Sequence, residues 1–359
     1  MNNVLSVVVF ILGVSFLAFI HELGHYLAAR FFNIEIEEFG LGFPPKAKSL
    51  FKWKGTEFTL NWIPFGAFVR PKGENDPDVP GGMASAHPLQ RLVVLVAGPL
   101  MNLIVGVVLF SLIFIQTGVP NEKVVIIGGV VKDSSAEVAG LTGGDVVKAA
   151  NGAAIDDTTQ FRSIIQANAG QVIALDIMRA QQTLSVKVTP KANNTPAGEG
   201  VIGVYLTNPP MSVSWFETLP YALRVSNEYA KQMFITPIKM ITGQLPPEQS
   251  RLTSIVGLGN LFVQARERDQ EAQASPSNAP AVTSLTLMAI ISVALGITNL
   301  LPIPALDGGR ILFLLPELLV RRRIPARYEN IVHLIGFAAL MLLMVVIMVQ
   351  DIINPVALP

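Results

Sequence analysis

VLSVVVFILGVSFLAFIHELGHYLAAR, residues 4–30, is apolar or small from Val4 to Ile20 and then meets His21, Glu22, Leu23, Gly24 and His25 with no turn signal between. The run is long enough to enter a bilayer as a helix. On a helix, positions i and i+4 lie about 40° apart in azimuth and about 6 Å apart along the axis. His21 and His25 therefore point the same way and can share one Zn²⁺, with Glu22 beside them as a general base for water. The competing reading is a chance HExxH whose histidines are satisfied in a core. Two imidazoles and a carboxylate continuing a bilayer-length apolar run argue against it, because intramembrane ionisable groups are costly and usually functional.

The composition agrees with a membrane setting. Of 359 residues, 51% are hydrophobic and 14% charged, the profile of an integral membrane protein. Lys and Arg balance Asp and Glu at 26 each, so nothing points to nucleic acid. The absence of cysteine removes disulfides and thiolate ligands. The leading Met1-Asn2-Asn3 lacks a basic n-region, and the first helix is expected to stay in the mature chain.

Three further stretches have the character of spans: 89–117, 282–301 with a continuation to 319, and 329–350. Basic residues cluster between the first two spans (Lys46, Lys48, Lys52, Lys54, Arg70, Lys72, Arg91) and after the third (Arg310, Arg321, Arg322, Arg323, Arg327), and both chain ends lack them. The positive-inside rule then puts these loops in the cytoplasm and both termini outside. His21 and His25 fall in the cytoplasmic half of the first span, about 25 Å along the helix from Val4.

Residues 34–70 alternate loosely and are interrupted by Pro44–Pro45 and Gly55, which predicts short strands joined by turns. Phe58 to Arg70 is apolar enough to dip into the bilayer edge, where a hairpin would offer an edge to an extended peptide; a plain cytoplasmic sheet is the alternative. In the second span, Asn102 is expected to find an interhelical partner. Residues 122–206 read as a strand-rich soluble domain with a helix near TTQFRSIIQANAG. Amphipathic helices are expected within 211–265 at the outer membrane surface, followed by a flexible linker, RERDQEAQASPSNAPA, over 266–281.

The third span ends in Asn299-Leu-Leu-Pro302-Ile-Pro304-Ala-Leu-Asp307-Gly-Gly-Arg310. Two prolines must break or kink the helix. Two histidines leave a catalytic zinc one protein ligand short, and a carboxylate is a common third; Asp307 read alone is as well explained as a helix cap. His333 near the start of the fourth span and, more weakly, His87 are the rival third ligands.

Taken together, HELGH, the Ala97-Gly98-Pro99-Leu-Met-Asn102 stretch and the Leu306-Asp307-Gly308 motif, in that order, resemble the site-2 proteases, zinc intramembrane proteases, in their bacterial RseP-type form. Ser135-Ala-Glu-Val-Ala-Gly-Leu141, then Gly143-Gly-Asp145 and Asn151-Gly152, resemble a PDZ domain, with Gly200-Val201-Ile202-Gly203 as its carboxylate-binding loop in the circularly permuted bacterial arrangement. The resemblance implies zinc held by His21, His25 and Asp307, with Glu22 as base. It implies that Asn299 and Pro302 help hold substrate and that Phe58–Arg70, with Gly66 in it, is a membrane-re-entrant loop. It adds Gly66 and Asn102 to the substrate-facing positions, and Gly200, Val201, Ile202 and Gly203 as those receiving a peptide end. The substrate implied is a single-span membrane protein such as an anti-sigma factor or a remnant signal peptide, and the membrane implied is the bacterial inner membrane. One departure is Leu252-Thr253-Ser254-Ile255-Val256, where many relatives have a Ser-Gly-Pro stretch.

The expected fold is an α-helical polytopic membrane protein with four transmembrane helices, a membrane-associated β-hairpin or sheet and an inserted α+β PDZ domain. The expected divisions are 1–120, 121–207, 208–281 and 282–359. Two rivals of other classes are a non-catalytic PDZ-containing receptor with a structural metal site and a zinc transporter. Glu22 argues against the first, since a metal clamp needs no base. The clustering of polar residues at one depth argues against the second.

Overall fold

A computed structural model describes residues 2–74, 76–191, 202–244, 251–275 and 280–358. In chain order the elements are α1 (Asn2–Phe31), β1 (Ile36–Trp53), β2 (Thr56–Pro71), α2 (Pro88–Thr117), β3 (Val119–Pro120), β4 (Val125–Val130), α3 (Ser135–Val138), β5 (Val146–Ala150), β6 (Ala153–Ala154), α4 (Thr158–Ala167), β7 (Ile173–Arg179), β8 (Gln182–Val188), β9 (Val204–Thr207), β10 (Pro210–Met211), α5 (Trp215–Ile241), α6 (Ile255–Ala274), α7 (Thr283–Leu300), α8 (Asp307–Val320) and α9 (Ala326–Ile353). Among the described residues, α1, α2, α7 and α9 are long and apolar enough to cross a membrane. The chain divides into two compact units, 117–214 and the remainder.

In the larger unit, α1 shares a core with the hairpin, α2 and α8: Tyr26, Ala29, Phe39, Val94, Leu95 and Leu314 are all buried together. Phe110 of α2, Ala222 of α5 and Val293 of α7 form a second cluster. Phe10 and Leu17 of α1 meet Phe262 of α6 and Ile291 of α7 in a third. Helices α5 and α6, expected as amphipathic surface helices, thus pack along the spans.

Three expectations are corrected. Residues 34–70 form two long paired strands rather than several short ones. Lys54 and Gly55 make the turn between them with φ of 47° and 88°, but Pro44–Pro45 does not end β1. The register steps from Phe43 opposite Ile63 to Lys46 opposite Asn61, and both strands bend there, so Phe39 faces Phe58 on one side and Val69 on the other. A bulge absorbs the residues that cannot pair. The third span does not continue to 319. It stops at Leu300, the chain runs irregularly through Leu301–Leu306, and α8 starts afresh at Asp307, as two prolines two residues apart require. The linker expected over 266–281 is helical to Ala274. Asp269, buried, accepts from Thr283 N–H at 2.7 Å and from Ser284 N–H at 2.9 Å. It thereby caps α7 from the preceding helix and satisfies amides that α7 leaves unpaired.

The smaller unit holds an antiparallel sheet ordered β8-β7-β5-β4-β9, with β6 beside β5. Val125, Ile127, Phe161, Ile173, Leu175 and Ile177 fill its core. Pairing of β3 with β10 extends the unit past the expected 121–207. Asp145 is fully buried and takes two hydrogen bonds of 2.6 Å from Arg179. That guanidinium holds the Asp145 carboxyl below its ordinary range. Of the expected carboxylate-binding loop, Gly200 and Val201 lie outside the described residues.

Candidate metal centre

Because α1 is uninterrupted, the i, i+4 spacing of His21 and His25 becomes a shared direction: their Nε2 atoms are 3.1 Å apart. Asp307, the first residue of α8, closes the triangle. Its Oδ2 is 3.1 Å from His21 Nε2 and 3.4 Å from His25 Nε2. These edges match the roughly 3.3 Å between ligand atoms of a tetrahedral zinc with bonds of about 2.0–2.1 Å. Among the described residues, this trio is the one His/Cys/Asp/Glu group so arranged.

The surroundings fix which ring nitrogens are free. His25 Nδ1 lies 2.7 Å from the Val94 carbonyl, so Nδ1 carries the proton and Nε2 presents a lone pair. His21 Nδ1 lies 3.3 Å from the Asn102 side-chain amide, and Asn102 is 1% exposed. As oriented, the amide nitrogen faces the ring while Asn102 Oδ1 is buried with no partner. Turning the amide end for end gives His21 Nδ1–H an acceptor and frees Nε2; oxygen and nitrogen of an amide are assigned by such networks. Ser292 Oγ donates to the backbone carbonyl of Asn102 at 2.8 Å, tying α7 to the same residue. Two neutral imidazoles and a carboxylate, each imidazole held by an outer partner, are a donor set suited to catalytic zinc.

Glu22 stands beside the triangle, its Oε2 accepting from Val69 N–H at 3.1 Å. Glu22, His25, Asp307, Val69, Glu74 and Arg310 are among the residues lining a cleft of about 170 Å³. Across it, Arg310 of α8 pairs with Glu74 of the loop after β2. Gly98 of α2 makes room for His25: a Cβ there would stand 2.3 Å from His25 Nε2. Gly98→Ala is therefore expected to lower zinc affinity by at least about tenfold, as loss of ligand positioning does. Metal titration of the purified variant checks this, and wild-type affinity would contradict the placement of His25.

The remaining expected residues are placed as follows. Asn102 meets His21, the interhelical partner its position called for. Gly66, with φ of 77°, donates its N–H to Ser15 Oγ at 3.4 Å. Asn299 donates to the Leu295 carbonyl of its own helix at 2.9 Å, and Pro302 is exposed in the break. Ile202 is buried, and its carbonyl accepts from Ala136 N–H, while that of Gly203 accepts from Val131 N–H. His87 is exposed just before α2, where its Nδ1 accepts from Leu89 N–H. His333 stands outside the metal triangle, with Nδ1 accepting from Ala305 N–H at 2.8 Å. The backbone groups of Val69 and Val94 and the Glu74–Arg310 pair carry no sequence signal of their own.

A profile of peptidase family M50 matches residues 9–343. A protein of Clostridium perfringens, named as a candidate zinc metalloprotease, is 32% identical over 96% of this chain and 98% of its own length. The zinc metalloprotease RasP of Geobacillus kaustophilus is 30% identical over 97% of each chain; that of Bacillus licheniformis is 28% identical over 97% and 98%. Among solved structures, the PDZ domain of an SdrC-like protein from Listeria monocytogenes aligns with 23% of this chain and 85% of its own, at 20% identity and a TM-score of 0.20.

Proposed function

The chain belongs to peptidase family M50, the site-2 proteases, and from that membership we propose that it is an intramembrane zinc endopeptidase cutting single-span membrane proteins. The observation that carries this reading is the triangle of His21, His25 and Asp307 with Glu22 beside it, the two histidines and Glu22 lying on a helix that is itself a candidate span. His21, His25 and Asp307 would hold the metal. Zinc, when bound, supplies an acidified water and polarises a carbonyl.

The protein's own groups do the rest. Glu22 takes the proton of the attacking water and returns it to the leaving amine, and the Val69 amide fixes its carboxylate at the cleft. Asn102 and the Val94 carbonyl hold the two imidazoles in the tautomer that leaves Nε2 free. A helical scissile amide is hydrogen-bonded and shielded, so the substrate must unwind locally. The bent sheet around Val69, with Gly66 at its corner, offers an edge for the unwound strand to join. Asn299, near the end of α7, and Pro302, in the break after it, would help hold the substrate.

The 117–214 unit serves as a PDZ domain on the outer face. Its edge strand β9 is tied at its end to the start of α4, Asn208 donating to Thr158 Oγ1 at 3.3 Å, and Ile202 and Gly203 stand just before it. A peptide end would add beside β9. The protein would sit in a bacterial inner membrane with both termini and this unit outside, contacting lipid along its spans. A cysteine introduced at Ser135 is expected to react with an impermeant reagent on intact cells, and one at Ser49 only after lysis. The opposite pattern would put the metal centre nearer the outer face.

The direct test is the purified protein, its zinc measured, incubated with a single-span test peptide. One zinc per chain and a cut inside the span, located by mass spectrometry, are expected. Zinc without any cut would favour a receptor with a structural metal.

A further inference from the structure

We propose that His333 is a positioning residue for the metal centre: by accepting the Ala305 amide it docks the last span onto the loop that aims Asp307. The proposal rests on Asp307 being a ligand, as read above.

Asp307 lies at the end of an irregular segment, Leu301–Leu306, between two helices. The amides of Leu301, Ile303 and Leu306 pair locally, with the carbonyls of Thr298, Leu301 and Ile303, whereas that of Ala305 needs a partner from elsewhere. Ala305 has φ of 76°, a left-handed conformation that is unfavourable for a residue with a Cβ and persists only where surroundings enforce it. Its N–H donates 2.8 Å to His333 Nδ1.

The same face of α9 makes a second contact one turn on. A Cβ on Gly336 would fall 2.3 Å from Pro304 Cβ and 3.1 Å from the Pro304 carbonyl oxygen, so only glycine lets the helix come this close. The imidazole itself rests against Phe313 of α8, ring centroids 5.6 Å apart. His333 and Gly336 together clasp the two residues that precede Leu306 and Asp307.

Most of α9 is otherwise open on its apolar surface. Leu334, Ile335, Phe337, Leu342 and Val346 are all more than half exposed, as expected for lipid contact. His333 is therefore not explained as a core residue. Nδ1 accepts a hydrogen bond from an amide, so the proton of the neutral ring is on Nε2, which is buried without a partner among the described residues. The amide of Ala305 is the bond this side chain makes, and it leads to the metal ligand.

The experiment is zinc release from the full-length protein into excess chelator, beside melting temperature and cleavage of the test peptide. His333→Leu removes the acceptor at similar volume. It is expected to release zinc at least about tenfold faster, the usual cost of losing an outer partner of a ligand, and to lower kcat with KM nearly unchanged. His333→Asn keeps an acceptor near the place of Nδ1 and should release zinc close to the wild-type rate. Gly336→Ala, which touches neither end of the hydrogen bond, should speed release by pushing α9 off Pro304. Wild-type release rates in both His333→Leu and Gly336→Ala would overturn the proposal, as would an Asn variant as leaky as Leu. Should the wild-type protein hold zinc and cut nothing, the proposed activity fails while the release rates still judge His333.

Discussion

Glu22→Gln should leave one zinc per chain and an unchanged melting temperature while cleavage of a single-span peptide falls by about 10²–10⁴-fold, the usual contribution of a general base. The side-chain amide that this substitution introduces keeps an oxygen, so the bond from Val69 N–H, now 3.1 Å, survives. Glu22 lies outside the triangle of His21, His25 and Asp307, so the metal keeps all its protein donors. What is lost is the ability to take up a proton. Turnover close to wild type in a zinc-replete Glu22→Gln protein would remove Glu22 from the reaction and with it the mechanism as drawn.

Asp307→Ala should cost the zinc itself. Removing the carboxylate leaves two imidazole donors on one helix and opens the side of the triangle closed at 3.1 and 3.4 Å. Affinity should fall by more than the roughly 10–100-fold that loss of an outer partner brings, so the purified variant carries little metal. His333→Leu and His333→Ala, by contrast, should still bind one zinc and merely release it sooner. An Asp307→Ala protein that keeps zinc as firmly as wild type while His333→Ala is isolated without it would mean the third ligand has been misassigned.

What can be read ahead of the structure is whatever is local. HELGH needs nothing but an unbroken helix to become half of a site, and Val4–Ile20 guarantees one. Pro302 and Pro304 likewise dictate a break wherever they stand. Asp307 is different. Its spacing is equally that of a helix cap, and only the resemblance of the paired motifs attaches it to His21. The polar string after Ala265 looks like a tether because its composition is that of linkers. Its described start continues α6 to Ala274, and Asp269 there reaches amides that lie further along the chain, at Thr283 and Ser284. Proline cannot join a ladder, so Pro44–Pro45 reads as a strand end; opposite a partner strand that bends at the same place it becomes a corner instead. Asn102 announces that it needs a partner, without saying that the partner will be the His21 ring.

His21 and Asp307 meet although 286 residues separate them. A nascent chain emerging from the ribosome thus places HELGH in the bilayer early, along with its base, yet can assemble no complete cage for a metal until synthesis has passed Asp307. On the proposed ligand set, a product that ends before Asp307 would lack the third donor and with it the metal that the reaction needs.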